Sequence, residues 1–295
     1  MASAWHWLTD PYASQFMQRA LLASLLVGAI APLVGVWIVL RRLAYLGDAM
    51  SHATVGGVAV AYLAGFSITL GAIGAGLAMA GLMALLAAHP RLRDDTVIGI
   101  VEVTLFAGGV LIISAQDGIG VDLTHFLFGS ITTVTEQDLA LNAALATCSL
   151  CGLIALFSDL RAASFDPLHA QLTGVRVGAI RVALLGLLAI SVVLALQTVG
   201  LLMSVALFIV PAATARLWTH TTEAMSVLAA VLGVLCTTLG LTLAYHLATA
   251  PGATVALVAV ALLAGSFVAT LPRRRTAPMA HASQLAVVVE PSDRP

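Results

Sequence analysis

Charge is what this sequence has least of. Only 9% of its 295 residues are Asp, Glu, Lys or Arg, against about 25% in a soluble domain. Hydrophobic residues make up 60% of the chain, too many to be hidden behind so small a polar surface. Part of its solvent is therefore lipid, and a soluble enzyme is excluded. A formal net charge of -1 gives no bias toward nucleic acid or acidic substrates. Cysteine is nearly absent as well. Cys148 and Cys151 have the spacing of half a redox or zinc motif, but no second pair follows, and with Cys236 they read as small buried side chains in apolar runs. The chain has no glycine-rich loop ending in Gly-Lys-Ser or Gly-Lys-Thr, so it does not hydrolyse ATP on its own. Its glycines precede no strand, which excludes a dinucleotide fingerprint.

What is present is a series of long apolar runs. A helix rises about 1.5 Å per residue, so a hydrocarbon core of about 30 Å takes roughly 20 residues. Ala20 to Leu40 makes one span, and Ala53 to Ala88 holds two around a turn at Gly65 to Thr69. Thr96 to Ala115 makes a fourth, followed by a polar, acidic connection from Gln116 to Asp138. Leu139 to Phe157 makes a fifth, Val182 to Ala215 divides near Thr198 to Leu201, and Ala224 to Leu271 divides at Pro251 and Gly252. The expected fold is an all-α polytopic transmembrane bundle of eight to nine spans. Nine is favoured: with the amino terminus outside, it puts Arg41, Arg42, Arg91, Arg93, Arg161, Arg176, Arg181, Arg216 and Arg273 to Arg275 in the cytoplasm.

The resulting organisation has four parts. Residues 1–15, with Trp5, Trp7 and Tyr12 and no basic cluster before the first apolar run, read as an extracytoplasmic interfacial segment rather than a signal peptide. Residues 16–271 form the transmembrane domain, which contains a cytoplasmic segment at 158–181, and 272–295 form a flexible cytoplasmic tail. Within 158–181, Ser164 or Asp166 suits a helix N-cap, Pro167 a first turn and Gly174 a stop. Pro211 predicts a kink or break in the span that carries it.

Three ionisable residues fall where lipid should exclude them: Asp48, His52 and Glu102. Four positions apart, Asp48 and His52 share one helical face. Counted from Arg42, they lie about 9 Å and about 15 Å into the membrane. Glu102, on another inward-to-outward helix, reaches a similar depth. Carboxylate and imidazole are both ligands for a first-row divalent ion, so a metal path is one reading of the trio. A hydrogen-bonded packing network and a route for protons or organic ions are the others. At this level the chain is equally readable as a gradient-driven transporter, a channel or a membrane scaffold. His125 and its acidic neighbours, and His246, are further polar groups toward the outer side.

The stretch from Arg41 through Leu46-Gly47-Asp48-Ala49-Met50-Ser51-His52-Ala53 resembles the early signature of the membrane permease family of zinc, manganese and iron ATP-binding cassette importers. Gln197-Thr198-Val199-Gly200-Leu201-Leu202, continuing through Pro211 to Arg216, resembles the later one, and the likeness spans roughly residues 15 to 270. It implies a multi-pass permease of the bacterial plasma (inner) membrane. Such a permease forms a homodimer, joins two cytoplasmic ATPase subunits, and takes its metal from an extracytoplasmic binding protein. It has no prosthetic group of its own. The resemblance places Asp48 and His52 on the ion path, with Glu102 added on depth and chemistry alone. It also makes Ser164 to Val175 similar to a coupling helix that docks on the ATPase. Zinc or manganese is expected ahead of iron.

Overall fold

The computed structural model describes residues 10–87, 89, 91–115 and 134–275, with the side chains of 201–202 and 272–275 outside that description. After a short 3-10 turn at Asp10–Ala13 come α1 (Gln15–Leu40), α2 (Tyr45–Leu63), α3 (Ile68–Leu86), α4 (Asp94–Ser114) and α5 (Glu136–Phe165). They are followed by α6 (Pro167–Leu172), α7 (Val177–Val199), α8 (Leu201–Trp218), α9 (Thr222–Leu247) and α10 (Pro251–Arg275). Among the described residues nine helices have 18 residues or more, all but the six-residue α6. Seven of them are long and apolar enough to cross a membrane. The exceptions are α2, which carries Asp48 and His52, and α8, which is apolar but short over Met203–Trp218. The polytopic helical bundle expected from the apolar runs is the fold observed.

Helix ends explain where the structure departs from the expected spans. Thr135 and Asp138 form a capping box that starts α5 at Glu136, and the helix continues past Asp159 and Arg161 to Phe165. Hydropathy marks the hydrocarbon slab, but helical hydrogen bonding runs on beyond it. Thr221 caps α9 by accepting from the Ala224 amide at 3.3 Å. Of the kink or break expected at Pro211, a break is ruled out: α8 continues through it as one helix, since a membrane bundle can absorb one missing amide bond where neighbouring helices pack. Gly200 alone joins α7 to α8, at φ 85 and ψ 171, a region left almost entirely to glycine.

The centre of the bundle is α1 and α7, whose apolar windows are mostly buried, whereas α3, α4, α5 and α10 turn most of their surface outward. Trp37 and Phe208 are among the largest fully buried side chains. Backbones meet where side chains are missing. A Cβ on Gly28 of α1 would stand 2.9 Å from the Gly233 carbonyl of α9, and one on Gly109 of α4 would stand 2.9 Å from the Gly56 amide of α2. Such close approach replaces the hydrophobic drive that helices lack in lipid. Buried hydroxyls satisfy themselves one turn back: Ser24 donates to Ala20 O at 2.6 Å and Ser191 to Leu187 O at 2.8 Å. The expectation for two cysteines is overturned. Cys148 and Cys151 lie on the outward face of α5 and are exposed, and only Cys236 is buried. An apolar run in a membrane helix does not by itself point inward, because lipid is as acceptable as core.

Polar contacts sort the helix termini into two ends. At one, Arg181 donates to Asp94 at 2.7 Å, Arg161 pairs with Glu223, and Arg41 Nε donates to Ser164 Oγ at 3.0 Å. At the other, Arg19 pairs with Glu136 at 2.6 Å and Tyr12 Oη lies 2.7 Å from Thr242 Oγ1. This is the alternation that successive crossings demand, with the arginine-rich end on the side expected to be cytoplasmic. Burial, with the nearby Arg181 guanidinium, pulls the pKa of Arg41 below its ordinary value.

Candidate functional site

The turn from α1 into α2 is tight: the Leu43 amide bonds Ile38 O, the Leu46 amide bonds Leu43 O, and Arg42 takes φ 59. It launches α2 with Tyr45, Asp48 and His52 at spacings of three and four, on one face. Asp48 Oδ1 and His52 Nε2 stand 3.7 Å apart, and about a third of each side chain is exposed. Ser51 is fully buried on another face, where its Oγ lies 3.4 Å from Ser204 of α8.

Across from α2 runs α4, travelling in the same direction. Glu102 is 9% exposed, and its Oε2 accepts a hydrogen bond from the Tyr45 phenol at 2.6 Å. One turn further, Phe106 meets the His52 ring edge-on, with centroids 5.6 Å apart and planes at 78°. Acid and aromatic at i and i+4 of α4 thus flank the polar face of α2.

The structure brings Asp48 and His52 side by side. It holds Glu102 against Tyr45 and does not gather all three around one point: among the described residues, no three His, Cys, Asp or Glu side chains form a group able to hold a metal. The pair can still chelate. Ligand bonds of about 2.0–2.2 Å span a 3.7 Å gap at an angle of about 115–135°, leaving the rest of the coordination sphere to other donors. The same geometry also suits a plain ion pair when His52 is protonated.

Sequence reasoning missed Tyr45 and Phe106. The signal for Tyr45 was its place three residues before Asp48, and for Phe106 its place four after Glu102. His125 and the acidic stretch around it lie outside the described residues, as do 1–9 and 276–295. His246 is on the last turn of α9, its ring edge-on to Tyr245.

Nine long helices, seven of them long and apolar enough to cross a membrane, define a multi-pass membrane protein. The model of the ABC 3 transport family matches residues 13–270, and the chain belongs to that family. It is 38% identical over 252 residues to the manganese transport system membrane protein MntC of Halalkalibacterium halodurans, covering 85% of this chain and 86% of that one. It is 37% identical over 260 residues to the manganese import system permease protein ScaB of Streptococcus parasanguinis, covering 88% and 92%. A probable iron transport system membrane protein of Haemophilus influenzae is 33% identical over 255 residues, covering 86% and 94%.

Among solved structures, PsaBC from Streptococcus pneumoniae in complex with Fab superposes with a TM-score of 0.79 at 32% identity, covering 90% of this chain and 95% of that one. An inward-facing putative metal-chelate type ABC transporter shares the fold, with a TM-score of 0.69 at 19% identity and 85% of each chain covered. The protein is a multi-pass component of the bacterial inner membrane and the permease, not the ATPase, of its transporter.

Proposed function

We propose that this chain is the permease subunit of an ATP-driven importer of a divalent metal, manganese first, and that Asp48 and His52 line the ion's path. The observation that carries the reading is the 3.7 Å carboxylate–imidazole pair on α2, in a chain whose relatives are named for manganese transport and import. Carboxylate charge offsets the cost of a cation in lipid, and neutral imidazole adds a nitrogen lone pair. A two-ligand site binds loosely enough to let its cargo go. Iron, named in another relative, and zinc are the competing cargoes.

The polar face is a third exposed in a single chain, which suits a homodimer in which a second copy completes the route. Glu102 stands behind this face as a polar wall fixed by Tyr45. At the cytoplasmic end, Asp166 caps α6 by accepting from the His169 amide at 2.9 Å, with Pro167 at the first position. The short helix leaves Leu168 69% and Leu172 80% exposed. Apolar side chains held out into water at a rigid capped element suit a cleft on an ATPase subunit, and two such subunits would serve the dimer. An extracytoplasmic binding protein would deliver the ion.

The test is reconstitution of permease, ATPase and binding protein in vesicles. ATP-dependent manganese accumulation that disappears with Asp48→Ala and His52→Ala is the expected result. Accumulation by the permease alone under an ion gradient would replace this reading with a secondary carrier.

A further inference from the structure

The cytoplasmic end of α1 is tied by a side-chain hydrogen bond to the last turn of α5. Arg41 caps α1, and four residues later the chain reaches Tyr45, the first residue of α2. The Arg41 Nε donates to Ser164 Oγ at 3.0 Å, and Ser164 itself donates to the Leu160 carbonyl at 2.5 Å. Ser164 is two residues before Asp166, the N-cap of α6. One guanidinium therefore joins the approach to α6 directly to the turn that launches the polar face of α2.

The contact is costly to keep. Among the described residues, the buried Arg41 Nη2 has no hydrogen-bond partner. A buried, unsatisfied donor on a cation destabilises a fold, and lysine or glutamine at a surface turn would avoid the penalty. The Arg41 guanidinium is hydrogen-bonded to a side chain on the last turn of α5, two residues before the α6 cap.

The geometry points to Arg41 as a positioning residue that carries displacement of α6, through Ser164, to the α1–α2 turn and so to Asp48 and His52. This rests on the permease reading above. The link acts on motion and touches neither metal nor ATP. Trp37 of α1 also meets Phe157 of α5 edge-on at 5.4 Å, and the Ser164–Arg41 hydrogen bond adds a polar link that enters the four-residue turn into α2 directly, with Arg42 held at φ 59 inside it.

The experiment uses the full permease–ATPase–binding protein complex in vesicles, reading manganese accumulated per ATP hydrolysed for wild type, Arg41→Gln, Ser164→Ala, the double variant and Arg41→Lys. The expected result is a fall of at least fivefold in metal moved per ATP for Arg41→Gln and for Ser164→Ala. Basal ATP hydrolysis should stay within about twofold, and melting temperature in detergent should hold. The double variant should be no worse than Arg41→Gln, because the two residues form one link, and Arg41→Lys should recover part of the ratio by restoring a charged donor. An unchanged ratio in both single variants overturns the inference. So does a parallel loss of hydrolysis, transport and thermal stability, which marks a purely structural contact. If the wild-type complex moves no metal, it is the permease reading that fails.

Discussion

The phenol of Tyr45 donates to Glu102 Oε2 across 2.6 Å, tying the first turn of α2 to the middle of α4. Seven residues beyond Tyr45, His52 meets Phe106, four beyond Glu102. Two contacts of different chemistry therefore hold the same two helices in one register, and between them lies Asp48. The polar face of α2 is held by its neighbour rather than left to find its own rotamers.

Tyr45→Phe should leave Glu102 buried without its donor. The loss of such a partner costs about 1–3 kcal/mol, read as a melting temperature lower by several degrees in detergent. Glu102→Gln keeps an acceptor for the phenol and should cost less. Equal stability of Tyr45→Phe and wild type would show that water replaces the phenol.

Asp48→Asn keeps the shape of the side chain and removes its charge, so manganese uptake by the reconstituted complex should fall by about tenfold or more, a loss of more than about 1.4 kcal/mol of ion stabilisation. His52→Ala should do the same. Both side chains are a third exposed, so the variants should keep the melting temperature of wild type. Full uptake by both variants would take the pair off the path.

Leu168→Asp with Leu172→Asp should abolish co-purification of the ATPase subunit. Both positions are exposed in the single chain, so expression and helix content should not change. Retention of the ATPase on a permease carrying both substitutions would assign the docking surface elsewhere.

Gly109→Leu puts a branched side chain where the α2 backbone already touches α4. Overpacking of this kind costs about 1–3 kcal/mol, and it should part the register that the Tyr45–Glu102 contact depends on. Thermal unfolding checks the first effect. The second is checked by adding Tyr45→Phe, which should cost less in the Gly109→Leu background than in wild type.

The apolar runs made seven of the long helices legible by length and composition, because a hydrocarbon slab demands an uninterrupted stretch of minimum length, while α2 and α8 do not meet that measure and emerged only by dividing longer runs. The ends were less legible. Residues 158–165 read as a segment outside the membrane, and they are outside the apolar run, yet α5 includes them because a helix stops at its cap rather than at the lipid boundary. The Asp166 cap and Pro167 start of α6 were readable, being local chemistry within a few residues. That Asp48 and His52 share one face of α2 was legible from their spacing. Their separation from Glu102 was not, since which of two helices a carboxylate reaches depends on the rotation of both about their axes. The same unknown rotation hid the partnership of Tyr45 with Glu102 and turned Cys148 and Cys151 outward.

A joint made of one residue has no slack. Because Gly200 alone stands between α7 and α8, the two rods share a hinge pin, and neither can slide lengthwise without dragging the other. A lengthwise shift of α7 therefore arrives at the head of α8, whose Ser204 rests against Ser51, the immediate neighbour of His52 in the chain.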